Sequence, residues 1–467
     1  MVIQTTTDIV TRSVSGTASA LGGLFGDHVV RMGVTGLSRA GKTVFITSLV
    51  ANLLNRGRMP QLVSAADGSI QAAYLQPQPD DTVARFDYET HLDSLIGPNP
   101  AWPEGTSAVS ELRLSLRLRP RGLLGGLQGP KTVHLDIIDY PGEWLLDLGL
   151  LDIDYDTWSE QSLATAQKRS ESQAFLDVLA TVSTDQKFDD VTAAQLADAY
   201  AQYLQAARQN GFANCTPGRF LLPGELAGSP ALTFAPLPNG PAGRRSLRAE
   251  MARRFEAYKS RVVRPFFRNH FAKIDRQIVL VDVLKALANG PEAVSDLETA
   301  MGNILTAFRP GRNGVFTEML LGKRVDRILF AATKADHLHH SQHGALTDLV
   351  SDMTAKARDR ASFSGAKTQA MSLAALRTTT ETTIAGDLPA VQGVDVETDK
   401  ARAFYPGELP TSPAALLAQA RQGGDDWGGP GFATMRFGPP KMTISQGEGP
   451  PHIRMDKAMQ FLIGDKL

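Results

Sequence analysis

The sequence predicts an α/β fold with a mainly parallel sheet and a large, mostly helical insertion. Three observations predict it. Apolar, β-branched segments alternate with helical-period segments in the first and last thirds of the chain, the pattern of crossover units. A glycine-rich loop joins the first strand to the first helix. From Trp144 to about Arg276 a period near 3.6 dominates and interrupts that alternation. The 467 residues suffice for about three domains. The expected division is 1–143 and 277–377 as two halves of one α/β domain, 144–276 as the insertion, and 378–467 as an irregular segment with a closing helix.

Composition narrows the class. Hydrophobic residues make up 42% and charged residues 21%, which excludes a mainly disordered chain or a small disulfide-stapled module. The net charge of -1 argues against a general polyanion binder, and no specific nucleic acid is expected. The one cysteine, Cys215, makes no internal disulfide and fits a reducing compartment. No apolar run reaches about 18 residues. Met1 to Gln4 lacks the start of a signal peptide, so a cytoplasmic location is expected. Asp8 to Gly26 reads as a weak amphipathic helix, better suited to packing on the protein body than to a membrane surface.

Taken in order, His28 to Thr35 reads as a strand and Val44 to Arg56 as a helix with Phe45, Ile46, Leu49, Val50 and Leu53 on one face. Asp81 to Ile96 reads as a short helix. Ser110 to Leu118 alternates strictly, and Thr132 to Asp139 is its partner, an antiparallel hairpin at a sheet edge turned by Pro120 to Pro130. In the insertion, helices are expected over Ser159 to Val182, Thr192 to Gln209 and Ser246 to Ile274, with a Pro/Gly-rich loop from Leu222 to Gly243. Gln277 to Val283, Arg327 to Ala332 and Thr368 to Ala375 follow as strands, with helices over Pro291 to Phe308 and Gly344 to Ala361. Residues 378–450 are rich in Gly and Pro and read as irregular. Met455 to Ile463 reads as a helix. No fixed-period repeat is present.

Three motifs carry chemistry. Gly36-x-x-x-x-Gly41-Lys42-Thr43 follows a strand and opens a helix, the setting of a P-loop. Backbone N–H groups there turn inward to cradle phosphates, and the helix N-terminus adds its positive end. Lys42 would reach the β- and γ-phosphates, and the Thr43 hydroxyl a Mg²⁺ ion. Asp139-Tyr140-Pro141-Gly142 ends the hairpin's second strand, which sets a carboxylate beside that loop and lets Gly142 N–H approach a γ-phosphate. Thr333-Lys334-Ala335-Asp336 ends a buried strand. Asp336 can accept from the N1–H and amino group of guanine, a pattern that adenine lacks. Helix capping is the competing reading of Asp336.

These motifs, in this order and on these strands, resemble the Ras-like P-loop GTPases. The Trp-Pro before the hairpin, the run Asp139-Tyr-Pro-Gly-Glu-Trp144 and Thr333-Lys-Ala-Asp336 resemble more narrowly the YcjX family of bacterial stress-associated GTP-binding proteins. The resemblance implies a Ras-like fold with a helical insertion, GTP/GDP and Mg²⁺ binding, a switch role in stress response, and a protein partner at a membrane, with peripheral attachment at the inner membrane. It implies nucleotide contacts from Gly36, Ser38, Arg39, Ala40, Gly41, Lys42, Thr43 and Val44, from Gly142, and from Thr333, Lys334, Asp336 and Ala375. Thr43, Asp139 and a switch threonine would hold Mg²⁺. Thr106 is the best placed for that switch, with Ser107 second. Lys42, Thr106 and Glu143 are the catalytic candidates.

Three positions depart from the family pattern. Thr333 stands where Asn is commonest. Glu143 stands where many GTPases carry a water-orienting Gln, and a carboxylate accepts from water but cannot donate to the γ-phosphate, so slow hydrolysis is expected. Ser38 replaces a glycine and crowds the entry of an arginine finger. Arg39 either adds charge in cis or points to solvent. A P-loop ATPase and a nucleotide-binding interaction module without useful turnover remain as alternatives.

Two further features stand outside these motifs. Arg244 to Arg276 holds nine Arg and two Lys against three acidic residues, a net of +8. It reads as a solvated face ahead of a docking surface. His337, His339, His340 and His343 follow the base motif; His339 and His343 stand at i, i+4 and could share a metal if helical, but no Cys or Glu joins them at a metal-site spacing, so a surface helix start is the expectation.

Overall fold

The computed structural model describes residues 28–37, 39–106, 108–119, 130–240, 242–306, 325–363, 365–410, 412–422 and 432–467. The expected helix at 8–26, the turn at 120–129, and Ser38 and Ser107 lie outside the described residues.

The first part of the chain forms β1 (His28–Gly36), α1 (Lys42–Leu54), β2 (Ile70–Gln76), β3 (Ala84–Arg85), α2 (Tyr88–Ile96), β4 (Ser110–Leu118), β5 (Lys131–Asp139) and α3 (Gly142–Leu146). A helical layer follows, with α4 (Tyr155–Ala166), α5 (Gln173–Ala180), α6 (Asp190–Gln209), α7 (Leu247–Tyr258) and α8 (Arg264–Asn269). The chain then returns to the sheet with β6 (Arg276–Val281), α9 (Val283–Ala288), α10 (Pro291–Thr306), β7 (Arg327–Ala332), α11 (His343–Met353), α12 (Ala355–Phe363) and β8 (Lys367–Ser372). β9 (Thr380–Ile384), β10 (Leu388–Asp395), β11 (Lys400–Phe404), α13 (Pro413–Gln422) and α14 (Met455–Ile463) follow, and shorter helical turns such as Val63–Ala66 and Gly218–Leu221 lie between these elements.

The main sheet has the order β2-β4-β5-β1-β6-β7-β8, with β3 paired to β4. From β5 to β8 every pairing is parallel. β4 runs antiparallel to both β5 and β2. Side chains alternate faces along each strand, and the two faces bury different layers. Val30, Met32, Val34, Ile278, Leu280, Leu329 and Ala331 meet Phe45, Ile46, Leu49 and Val50 of α1 and Met455, Met459 and Leu462 of α14. Val279, Val281, Ile328 and Phe330 face the other way, into a core that runs on through Trp144, Trp158, Phe175, Tyr200 and Phe255 of the helical layer. Strands covered on both faces need continuous apolar runs, which is why β6 and β7 stand out in the sequence.

The differences from expectation have physical reasons. The β4–β5 hairpin is not at the edge, because β2 covers it. β2 is half exposed and lacks strict alternation, so its pattern is weak. Residues 378–450 are not wholly irregular: β9, β10 and β11 form a second, antiparallel sheet. Their strands expose mostly Thr, Lys, Arg and Glu, and the turns place Asp387 and Asp399 at positive φ, which reads as loop chemistry. The helix expected over Ser159 to Val182 divides into α4 and α5. The one expected over Gly344 to Ala361 divides at Thr354, whose hydroxyl bonds Val350 O at 2.6 Å. Ser246 to Ile274 divides at a π-helical turn, Lys259–Val263, just ahead of Pro265, which has no N–H for the helical ladder.

The basic run is a solvated face only in part: Arg244, Arg245, Arg253, Arg261, Arg268 and Lys273 are exposed, and four other cations point inward. Arg248, Arg254, Lys259 and Arg276 are buried. Arg248 pairs with Asp156 at 2.5 Å and Arg254 with Asp190 at 2.7 Å. Lys259 donates to Ile153 O at 2.7 Å. Arg276 donates to Leu462 O at 2.8 Å and pairs with Asp326 at 2.6 Å and Asp465 at 3.0 Å. Partners distant in sequence hold these cations inside, so the local charge count gave no hint of it.

Candidate functional site

Parallel pairing from β5 to β8 delivers all the motif loops to one edge, the carboxyl ends of the strands. β1 ends at Gly36. Arg39 follows at φ +63° and Gly41 at φ +84°, and α1 begins at Lys42. The left-handed residues reverse the chain so that successive N–H groups face inward. Arg39 is exposed, as the solvent reading expects, and Ala40 is buried. Val44 is half-buried in the first turn of α1. Lys42 is buried and donates to Gly36 O at 2.9 Å.

Three oxygen-bearing side chains meet beneath this loop. The Thr106 hydroxyl donates to Asp139 Oδ2 at 2.7 Å. Thr43 Oγ1 lies 3.5 Å from Thr106 Oγ1 and donates to Glu104 O at 3.4 Å. Asp139 is 2% exposed, and its Oδ1 has no hydrogen-bond partner. Burial pushes this carboxyl up to about 6, against the pull of Lys42 and Thr106. An orphaned buried carboxylate oxygen beside two hydroxyls is an all-oxygen donor set, the kind a hard dication such as Mg²⁺ takes. These residues fit that ion.

Gly142 is packed on the P-loop itself. A Cβ there would stand 2.2 Å from Gly36 O and 3.1 Å from Leu37 N, so only glycine fits. Glu143 is 3% exposed, and its carboxylate pairs with Arg208, from the last turn of α6, at 2.7 Å. Arg208 had no signal in the sequence. A small cavity of about 40 Å³ lies beside this pair, between Leu37 and Ala40 of the P-loop and Asp282 and Lys285. Burial, then Arg39, lowers the Lys285 ammonium pKa, which Asp282 partly offsets. A larger cavity, about 280 Å³, lies within the helical layer by Trp158, Arg169 and Tyr200 and touches none of the motif residues.

The base motif sits two strands from β1. Thr333 N and Oγ1 both donate to Val281 O, at 2.9 and 3.4 Å. Lys334 adopts φ +61° and pairs with Asp282 at 2.5 Å. Asp336 is 4% exposed, and its Oδ2 accepts from Thr378 N–H at 2.9 Å and from the Thr378 hydroxyl at 2.6 Å. The Thr379 hydroxyl donates to Asp336 O. The side chain of Asp336 caps no helix. Thr378 and Thr379 were missed in the sequence, where the run Thr378-Thr379-Thr380 was the available signal. Ala375 is half-buried and packs toward the core shared with α1. Among the described residues, no helix is long and apolar enough to cross a membrane.

A protein of Escherichia coli K12 with the name "Ras-like GTPase YcjX" is 37% identical over 459 residues, covering 94% of this chain and 96% of that one. A protein of Shewanella oneidensis MR-1 with the same name is 35% identical over 471 residues, covering 94% and 95%. A family model described as "YcjX-like family, DUF463" matches residues 30–467. The strand order, the motif loops gathered at one sheet edge and these matches agree: the chain belongs to the YcjX-like family.

Proposed function

We propose that the chain binds GTP and GDP with Mg²⁺, hydrolyses GTP slowly, and works as a regulatory switch. The observation that carries this reading is the meeting of Thr43, Thr106 and Asp139 under the P-loop, at 2.7 and 3.5 Å. The names of the two relatives support it. Thr43, Asp139 and Thr106 would hold the Mg²⁺, which when bound neutralises charge across the β- and γ-phosphates. Lys42 would exchange Gly36 O for phosphate oxygens, and the P-loop N–H groups would stabilise the charge that develops as water attacks the γ-phosphorus. Thr106, placed ahead of β4, would hold its position only in the triphosphate state. Asp336 would accept from the guanine edge, with the stem of Lys334 along the base.

Glu143 can accept from water, but its carboxylate already serves Arg208, which supports slow unassisted turnover. The same pair favours a second reading, nucleotide binding without useful turnover. The role in stress response and a membrane-associated protein partner rest on the family resemblance alone. The test is nucleotide binding and turnover by the purified chain. GDP should co-purify, GTP should turn over only with Mg²⁺, and ATP should bind weakly. Equal ATP and GTP affinity would overturn the guanine assignment. GTP binding with no Mg²⁺-dependent phosphate release would leave the second reading in place.

A further inference from the structure

The histidine run after the base motif acquires a carboxylate that no sequence spacing announces. β9 brings Glu381 to the loop of His339 and His340. Donor atoms of these three side chains all lie within 4.8 Å of one another. His340 Nδ1 is 2.8 Å from Glu381 Oε2, and His339 Nε2 is 3.7 Å from the same oxygen. The arrangement is supported from behind. His339 Nδ1 is 2.8 Å from Ser341 Oγ, which orients the ring so that Nε2 faces the carboxylate. His340 N–H donates to Glu381 Oε1 at 3.1 Å and fixes the other carboxylate oxygen. The ring and backbone hydrogen bonds account for His340 beside Glu381. They do not involve the second imidazole, His339, whose Nε2 faces the same oxygen at 3.7 Å.

We propose that His339, His340 and Glu381 form a binding site for a zinc-class transition-metal ion. Two imidazoles and one carboxylate suit Zn²⁺, Co²⁺ or Ni²⁺ in preference to Mg²⁺ or Ca²⁺. Ligand atoms about 2.0–2.2 Å from one tetrahedral ion stand roughly 3.3 Å apart. The separations of 2.8 and 3.7 Å bracket that value, so small side-chain rotations suffice. His340 is 68% exposed, which leaves solvent to complete the coordination.

The position gives the ion a consequence. The loop carrying His339 and His340 follows Asp336 directly, and Glu381 follows Thr378 and Thr379, which bond Asp336. A metal here would clamp the two segments that hold the Asp336 carboxylate. This link, unlike the site itself, rests on the guanine reading of Asp336.

The experiment uses the untagged, full-length chain, with Mg²⁺ in excess so that the P-loop site does not compete. Calorimetry with Zn²⁺ should show one ion per chain, and Co²⁺ should give the visible absorption of a low-coordinate site. His340→Ala and Glu381→Gln should each weaken Zn²⁺ binding at least about tenfold, and Ser341→Ala about tenfold through ring orientation. Both His340 and Glu381 are surface side chains, so circular dichroism of the variants should match the wild type. Equal Zn²⁺ affinity in wild type and variants would overturn the site. Zinc should also slow GDP release from the wild type and not from Glu381→Gln. Unchanged release with zinc bound would overturn the clamp, while leaving the site standing.

Discussion

Asp147 fastens the segment after the Asp139–Gly142 loop to the helical layer. It accepts from Gly218 N–H at 2.7 Å and from the Tyr258 hydroxyl at 2.5 Å, and it is 2% exposed. Burial pushes its carboxyl up to about 7 from an ordinary 3.8, against these two bonds and Arg219. A carboxyl whose folded value is raised binds its proton more tightly folded than unfolded. Stability therefore falls as pH rises through the window between those two values. The ionised form costs on the order of 4 kcal/mol at about pH 8, and roughly 3 kcal/mol of that is relieved by about pH 5. Asp147→Asn keeps an acceptor for Gly218 and removes the titration. The urea midpoints of wild type and variant should be compared from about pH 5 to pH 8. The variant should gain on the wild type as pH rises, by roughly 3 kcal/mol across the range. A difference that stays flat with pH would refute the reasoning.

Three further outcomes follow from the site. Asp336→Asn should lose GTP affinity and gain affinity for xanthosine triphosphate by at least about tenfold, since an unpaired buried polar group costs about 1–3 kcal/mol; competition binding reads it, and no shift toward xanthine would leave Asp336 a structural tie for Thr378. Thr43→Ala should weaken Mg²⁺-dependent triphosphate binding far more than diphosphate binding, and Thr106→Ala should do so more mildly; equal loss for both nucleotides at Thr106 would place the switch threonine elsewhere. Glu143→Gln should leave single-turnover GTP hydrolysis unchanged or faster, because on the proposed reading it removes a negative charge near the γ-phosphate and leaves an amide for Arg208 to face; a large drop would make Glu143 the group that positions water.

What was legible in the sequence follows from where each signal resides. β6 and β7 are buried on both faces, so they must be apolar runs. The P-loop needs left-handed backbone and a helix start, and both leave glycines at fixed spacing. The family resemblance and its place before the hairpin pointed to Thr106, which the fold sets 2.7 Å from Asp139. β9 and β11 escaped because exposed strands carry polar residues that imitate loops, and β2 because its half-exposed residues lack strict alternation. Arg208, Thr378 and Glu381 escaped for another reason. Each acts on a residue far away along the chain, at Glu143, Asp336 and His340. No local pattern records such a meeting. The buried cations of the basic run escaped in part for the same cause, since Arg248, Arg254 and Arg276 also pair with Asp156, Asp190 and Asp465 on other segments.

The packing of α14 also orders events in the making of the protein. Met455, Met459 and Leu462 lie in the same core as α1, and Ile453 bridges Ala374 in the loop after β8. Arg276, on the central strand β6, finds its partners Leu462 O and Asp465 only there. A chain emerging from the ribosome therefore exposes one face of its central sheet until α14 arrives. The P-loop helix has to wait beside an unfilled groove through most of synthesis, and nascent chains should need chaperone cover during that interval. For the same reason a truncation that removes α14 should strip the support from α1, at the opposite end of the sequence, before it disturbs the helical layer.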